Sequence, residues 1–217
     1  MRVLLADDQR LVRAGLRLLL DLEPGLEVVG EAADGVEAVA AAQSVPPPDV
    51  VLMDVRMPRL DGIEATARIR RLPHAPQVLV LTTFDADELV YRALQAGACG
   101  FLLKDAPQEH LVLAVRAAAA GVPTVAPTVV ARMVERFAGP APATGRWPAL
   151  DRLTARERDV LRAMATGASN ADIARALHLG ESTVKSHVAH VLTKLDLTSR
   201  SQAVVVAYES GLVARGA

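Results

Sequence analysis

Short apolar runs alternate with segments of helical periodicity through the first 120 residues of the chain. The five apolar runs begin at Val3, Val28, Val50, Val78 and Phe101. This alternation predicts βαβ units, in which parallel strands are buried on both faces of the sheet. We therefore expect residues 1–122 to form an α/β domain with a five-stranded, doubly wound parallel sheet of the flavodoxin-like type.

A segment of small residues, proline and glycine follows this domain. Residues 139–145 read Gly-Pro-Ala-Pro-Ala-Thr-Gly, a composition that cannot form a core. We predict a linker over 123–149, in which a helical pattern at 128–137 is compatible with an extension of the first domain.

The strand pattern is absent beyond Leu153, and residues 150–217 predict a second, all-α domain of four short helices. Capping-box patterns begin the first helix at Thr154 and the fourth at Ser199. The third helix, which we expect Ser182 or Thr183 to cap, follows a three-residue turn. This arrangement favours a helix-turn-helix unit, and a four-helix bundle without a DNA-binding role is the alternative.

Composition excludes several classes of protein. Hydrophobic residues make up 51% of the 217, which argues against a disordered chain. A single cysteine, Cys99, excludes an intramolecular disulfide framework and fits a reducing compartment. No run of 18 apolar residues occurs, and two acids follow Met1 too early for a secretory signal. We expect a cytoplasmic protein without a membrane segment.

The formal net charge of -1 hides a difference between the two halves. Residues 1–137 carry 14 basic and 18 acidic residues, whereas residues 150–217 carry 9 basic and 7 acidic ones. The second half is therefore mildly basic, which suits weak, salt-sensitive attraction to nucleic acid.

Charged and hydroxyl side chains follow four of the five apolar runs. They are Asp7, Asp8, Asp54, Thr82, Thr83 and Lys104. Parallel strands end at one edge of a sheet, so we expect these side chains to lie together there. Clustered carboxylates suit a hard cation such as Mg²⁺, and a lysine beside a threonine hydroxyl suits a phosphoryl group. The pattern favours phosphoryl-transfer chemistry.

Four segments resemble the receiver domain of two-component response regulators in order and spacing. They are Leu5-Ala6-Asp7-Asp8, Met53-Asp54-Val55-Arg56-Met57-Pro58, Leu81-Thr82-Thr83 and Leu103-Lys104. The resemblance implies that Asp54 is the phosphoacceptor and receives its phosphoryl group from a sensor histidine kinase. It also implies that Thr82 and Lys104 hold the phosphoryl oxygens. The Mg²⁺ ligands that it implies are Asp7, Asp8, Asp54 and the backbone carbonyl of Arg56.

Two positions depart from related patterns. A phosphatase with an aspartyl nucleophile typically has a second Asp two residues later, where this chain has Arg56, which argues against that alternative. Phe101 stands at the family's aromatic switch position, which is often Tyr, and is equally well read as a core residue. We hypothesise that Arg56 and Phe84 limit water access to the phosphorylated site and so set its lifetime.

Residues 153–213 resemble the LuxR-type DNA-binding domain. The matching segments are 153–157, 169–174, 183–188 and Lys194-Leu195. The third helix is then the recognition helix, whose N-terminal residues reach base edges in the major groove. The candidate DNA contacts are Ser182, Thr183, Lys185, Ser186, Ala189, His190, Lys194 and Arg200. We interpret His187 and His190 as hydrogen-bonding surface residues, since the sequence offers no third metal ligand.

Together the two segments resemble a response regulator of the NarL/FixJ type. The resemblance implies a transcription factor switched by phosphorylation and not a conventional enzyme. It implies a homodimer on activation and a palindromic site in double-stranded promoter DNA. Two alternatives stay open: a DNA-binding protein that acts without phosphorylation, and an enzyme with a helical cap domain.

Overall fold

The structure of the protein is a computed structural model that describes residues 1–82, 87–122, 124–125, 130, 133 and 148–213. The chain divides into two compact units, Met1–Thr124 and Val125–Ala217. Most of the predicted linker, including most of the helical pattern at 128–137, lies outside the described residues.

The first unit contains a parallel sheet, as the sequence predicts. Its strands are β1 (Arg2–Ala6), β2 (Glu27–Ala32), β3 (Val50–Asp54), β4 (Gln77–Thr82) and β5 (Gly100–Leu103). Their order in the sheet is β2-β1-β3-β4-β5. The central strand β3 pairs with β1 through Leu52 and Leu5, and with β4 through Leu52 and Leu79. The predicted α/β fold class is confirmed.

A helix follows each strand. The helices are α1 (Arg10–Asp21), α2 (Gly35–Ala41), α3 (Gly62–Ile69), α4 (Asp87–Gln95) and α5 (Gln108–Ala119). With helices on its faces, the sheet buries both sides of its central strands, and Val51, Leu52 and Val80 are fully buried. This burial is why the strands appear in the sequence as continuous apolar runs and not as alternating ones.

The start of α3 lies against the end of β3. Asp61 caps this helix by accepting a hydrogen bond from the Glu64 backbone N–H at 2.8 Å. The Gly62 backbone N–H donates to the Val55 carbonyl at 2.9 Å. A Cβ atom on Gly62 would stand 1.9 Å from the Asp54 carbonyl oxygen, so only glycine fits. The position of Asp54 therefore depends on this close approach of two backbones.

The described part of the second unit is helical. It consists of a 3₁₀ helix (Pro148–Arg152), α6 (Ala155–Ala165), α7 (Asn170–Leu177), α8 (Glu181–Lys194) and α9 (Arg200–Glu209). Among the described residues, none of the helices has both the length and the apolar character needed to cross a membrane.

Capping residues determine where these helices begin. Thr154 with Glu157, and Ser199 with Gln202, form the two predicted capping boxes. The prediction that Ser182 or Thr183 caps the third helix is wrong, because α8 begins at Glu181 after Gly180 and has no side-chain cap.

The tight turn between α7 and α8 contains His178 in the left-handed conformation, with φ 54°. The Arg156 guanidinium donates to the Leu177 carbonyl at the end of α7. Ile173 of α7 and Val184 and Val191 of α8 are fully buried. These three side chains form the centre of the small core between the two helices.

We predict that Gly62→Ala lowers the free energy of unfolding of the first unit by about 3 kcal/mol, because the new methyl group must displace backbone at the end of β3. Gly15→Ala is the matched control, since nothing lies within 4 Å of the added Cβ atom in α1. This control should raise stability by about 0.5 kcal/mol through helix propensity. Urea unfolding measures both changes, and equal effects would contradict the packing argument.

Candidate phosphoryl site and nucleic-acid interface

Three predicted acidic residues lie together at the carboxyl edge of the sheet. Asp7 and Asp8 follow β1, and Asp54 ends the neighbouring strand β3. Each offers an oxygen atom, and these three oxygens lie within 4.8 Å of one another. Asp7 and Asp54 are buried, whereas Asp8 is exposed. The parallel topology thus brings together carboxylates that are 47 positions apart in the chain.

Lys104 neutralises part of this charge. Its Nζ atom lies 2.7 Å from Asp7 Oδ2 and 2.9 Å from Asp54 Oδ2, with only 16% of the side chain exposed. Burial by itself lowers the pKa of Lys104, but its close contacts with the Asp7 and Asp54 carboxylates outweigh that effect and leave the pKa raised. The lysine is therefore charged at neutral pH.

Asp54 has a raised pKa. Burial is the main cause, and the nearby charge of Asp7 adds to it. The ammonium of Lys104 and the backbone N–H of Arg56, which hydrogen-bonds to this carboxylate, oppose the shift. Asp54 is consequently a buried carboxylate whose negative charge depends on neighbouring cations.

The donor set fits Mg²⁺. This ion takes oxygen ligands and usually keeps several waters besides one or two carboxylates. Among the described residues, buried Asp7 Oδ2 has no hydrogen bond of suitable geometry, and its close contact is the Lys104 ammonium. The exposed Asp8 leaves one side of the cluster accessible to solvent. A divalent cation would satisfy the buried oxygen and reduce the repulsion among the three carboxylates.

Strand pairing brings Thr82 beside the end of β5. Thr82 is buried, pairs with Leu103, and accepts a hydrogen bond at its carbonyl from the Lys104 backbone N–H at 2.9 Å. Phe101 is half-buried, and the Arg56 side chain is exposed. The Thr83 and Phe84 predictions lie outside the described residues.

The sequence did not reveal the contacts that hold the loop after Asp54. Arg59 adopts φ 63° and forms ion pairs with Asp34 and with Glu37, the latter at 2.7 Å. The Gly35 backbone N–H donates to the Leu60 carbonyl at 3.1 Å. These contacts fasten the loop to the start of α2. No sequence pattern signals them, because they join segments that are not adjacent in the chain.

The third helix of the second unit, α8, presents six of the predicted DNA contacts to solvent. The exposed residues are Ser182, Thr183, Lys185, Ser186, Ala189 and His190. Lys185 Nζ lies 3.3 Å from Glu181 Oε1, one helical turn earlier, and the lysine side chain is 65% exposed. Such a pair on a helix surface is weak. Lys185 is therefore able to exchange this partner for another acceptor.

The two other residues predicted to contact DNA, Lys194 and Arg200, have hydrogen-bond partners within the second unit. Lys194 Nζ lies 2.8 and 2.7 Å from the two carboxylate oxygens of Glu157 on α6. The half-buried Arg200 donates to Asn170 Oδ1 at 2.8 Å and to the Ala168 carbonyl at 2.6 Å. Both side chains thus hold the helices of this unit together, and the phosphate contacts of Lys194 and Arg200 stay a prediction.

The structure adds a third member to the pair His187 and His190. Ligand atoms of Glu157 and the two histidines lie within 4.8 Å of one another, so the sequence-based reason for excluding a metal site was wrong. The Glu157 carboxylate already accepts hydrogen bonds from Lys194 and from the Thr154 backbone N–H. A metal ion would have to displace the lysine, so the carboxylate serves the helix contacts.

Each of the two units matches a known protein family. Residues 3–116 match the family described as the response regulator receiver domain, and residues 151–207 match the luxR family of bacterial regulatory proteins. The transcriptional regulatory protein YxjL of Bacillus subtilis is 42% identical over 98% of this chain and 97% of its own length.

Two solved structures extend the likeness. The response regulator ChrA of a heme-sensing two-component system is 38% identical, with a TM-score of 0.52 over 98% of each chain. A structure of two RcsB dimers bound to two parallel DNAs is 25% identical, with a TM-score of 0.54 over 96% of this chain and 98% of that one. The chain belongs to the response regulators of the NarL/FixJ type, which are phosphorylation-dependent DNA-binding transcriptional regulators.

We predict that Glu157→Gln destabilises the second unit by about 2 kcal/mol at pH 7, because Lys194 loses its charged partner. Burial raises the pKa of Glu157, but hydrogen bonds from Lys194 and Thr154 outweigh it and lower the pKa to about 2. A carboxylate with a lowered folded-state pKa contributes its stability above its ordinary pKa of 4.5, and loses it as the pH falls towards 2.

Thermal unfolding of the two proteins should therefore differ at pH 7 and converge at low pH. Asp172→Asn is the matched control, because Asp172 holds the same capping-box position in α7 but pairs with Arg175 at the surface. We expect a smaller loss there. A difference between Glu157→Gln and the unchanged protein that persists at pH 2 would contradict the assignment.

Proposed function

We propose that Asp54 is the phosphoacceptor through which this regulator is switched by a sensor histidine kinase. The observation that carries the proposal is the buried Asp54 carboxylate, which lies 2.9 Å from Lys104 and within a cluster of three carboxylates. A cation fixed beside a buried nucleophile keeps that nucleophile ionised and attracts a phosphoryl group. Those are the requirements of phosphoryl transfer.

In the proposed reaction, an Asp54 carboxylate oxygen bonds to phosphorus while the bond between phosphorus and the kinase histidine breaks. The leaving imidazole keeps the bonding electron pair and takes up a proton. Asp7, Asp8, Asp54 and the Arg56 carbonyl would hold Mg²⁺, which when bound would neutralise charge on the phosphoryl oxygens. Lys104 transfers one of its ion pairs from the carboxylates to a phosphoryl oxygen. The same site later hydrolyses the acyl phosphate with water, so the receiver catalyses its own phosphorylation and dephosphorylation.

Phosphorylation then changes the conformation of the sheet edge formed by β4 and β5. Thr82 and Lys104 lie at the ends of these paired strands, and their backbones share a hydrogen bond. A phosphoryl group that recruits both side chains favours a different arrangement of this edge, which includes Phe101 as the switch residue. To take the chain from mostly inactive to mostly active, it must favour the active state by about 5.5 kcal/mol.

In the active state we propose a homodimer that binds palindromic promoter DNA through α8. The exposed residues Ser182, Thr183, Lys185, Ser186, Ala189 and His190 support this surface. Because residues 150–217 have a net charge of only +2, one copy should bind DNA weakly. Two copies on two half-sites supply the missing affinity.

The phosphoryl-transfer step predicts a mass gain of one phosphoryl group when the full chain is incubated with acetyl phosphate and Mg²⁺. Asp54→Ala should abolish the gain, because the nucleophile is removed. Asp49→Ala is the control, since Asp49 precedes β3 and contacts the backbone N–H of Arg2 far from the cluster. No gain in the unchanged protein, or a gain that survives Asp54→Ala, would favour a DNA-binding protein that acts without phosphorylation.

The DNA-binding step predicts that Lys185→Gln weakens binding to a selected site by about tenfold, because a side chain able to bond guanine is lost. Arg162→Gln is the matched control. It also removes one positive charge from a surface ion pair, with Asp159, but from α6. Fluorescence anisotropy with phosphorylated protein measures both affinities. Equal losses would show that Lys185 contributes only net charge, and no binding at low salt would favour an enzyme with a helical cap.

A further inference from the structure

Arg13 lies in the first two turns of α1 and reaches back to the turn that carries Asp7 and Asp8. Its Nη1 donates to the Asp7 backbone carbonyl at 2.6 Å, and its Nε donates to Glu31 of β2 at 3.2 Å. Only 13% of the side chain is exposed. One guanidinium thus joins α1, β2 and the peptide that leads from Asp7 to Asp8.

The hydrogen bond to the Asp7 carbonyl fixes the direction in which the chain leaves β1. The Asp7 N–H is held by the Ala32 carbonyl at 3.1 Å, and Asp7 Oδ1 accepts from the Gln9 N–H at 2.8 Å. The Asp7 carbonyl belongs to the next peptide group, whose plane determines where Asp8 stands. Helix α1 has no side-chain cap at Gln9, so the start of the helix does not fix this turn by capping.

We propose that Arg13 is a positioning residue for the Mg²⁺ site, which holds Asp8 in place relative to Asp7 without touching the ion. The inference rests on the proposed function of the carboxylate cluster. Partners that orient metal ligands typically account for a tenfold or larger part of metal affinity. Asp8 depends on such a partner most, because it is the exposed member of the cluster.

Because Arg13 is positively charged, the direction of the change in Mg²⁺ affinity on its substitution tests the proposal. Removal of a positive charge near a cation site strengthens cation binding through Coulomb's law. Loss of ligand position weakens it. A substitution that removes both the charge and the contact therefore reveals which of the two effects is larger.

Arg17 supplies the matched control. It is one turn further along α1 and binds the same carboxylate, with Nε 2.6 Å from Glu31 Oε1. Its Nη1 lies 3.5 Å from the Val28 carbonyl of β2, far from the carboxylate cluster. Arg17→Gln thus removes one charge and one contact with Glu31, but leaves the peptide between Asp7 and Asp8 held by Arg13.

The experiment is a calorimetric titration of the full chain with MgCl₂, accompanied by thermal unfolding. We expect Arg13→Gln to weaken Mg²⁺ binding about tenfold, and Arg17→Gln to leave it unchanged or slightly stronger. Arg13→Lys keeps the charge but loses the planar fork, in which Nε reaches Glu31 while Nη1 reaches the Asp7 carbonyl. It should therefore also weaken binding, and it replaces Arg13→Gln as the test if the latter does not fold.

Unchanged or tighter binding by the folded Arg13 variants, or an equal loss in Arg17→Gln, would overturn the inference. Equal thermal stability of Arg13→Lys and Arg17→Gln with unequal Mg²⁺ affinity would support it, since a general loss of stability cannot produce that difference. Absence of Mg²⁺ binding by the unchanged protein would overturn the proposed function itself. The two failures are therefore distinguishable.

Discussion

The first unit depends on the ammonium of Lys104, which stands between the buried carboxylates of Asp7 and Asp54. Oxygen atoms of these two carboxylates lie within 4.8 Å of each other. Without a cation between them, their mutual repulsion would favour protonation of one of the two. The sheet supplies the ammonium from β5 and the acids from β1 and β3. The pairing of β1, β3, β4 and β5 is therefore a condition for the site. In turn, a new anion or cation at the site acts directly on the edge formed by β4 and β5.

The second unit uses a similar buried ion pair for a different purpose. Lys194 binds both oxygens of Glu157 and so fastens α8 to the start of α6. The pair is stabilising because Glu157 is also hydrogen-bonded by the capping box, which leaves few of its lone pairs without a donor. Two of the chain's three lysines thus serve ion pairs inside their units, and Lys185 faces solvent. Whether a lysine has an ion-pair partner within its unit or is exposed to solvent, more than the net charge of the unit, separates a structural lysine from a candidate DNA contact.

The proposed switch depends on competition among anionic groups for the ammonium of Lys104. In the proposed mechanism, Asp7, Asp54 and an incoming phosphoryl group compete for Lys104, and Thr82 is the neighbouring hydroxyl. The loop after Asp54 has little freedom to adjust, since Gly62 contacts the Asp54 backbone and Arg59 is tied to α2. In the proposed mechanism, rearrangement is therefore expected at the edge formed by β4 and β5. This division between a fixed side and a movable side is what a two-state switch requires.

The sequence by itself determined the order of elements, the sheet class, the capping boxes and the acidic cluster. These depend on local periodicity and on the rule that parallel strands end at one edge. Only the tertiary structure decided that Lys194 and Arg200 have partners on other helices of their unit or in its loops, that Glu157 joins His187 and His190, and that Arg13 reaches the Asp7 carbonyl. A long side chain on a helix has several neighbours within reach, and its partner depends on elements distant in the chain. Periodicity assigns a residue to a face, whereas the packing of other helices and strands decides what that face meets.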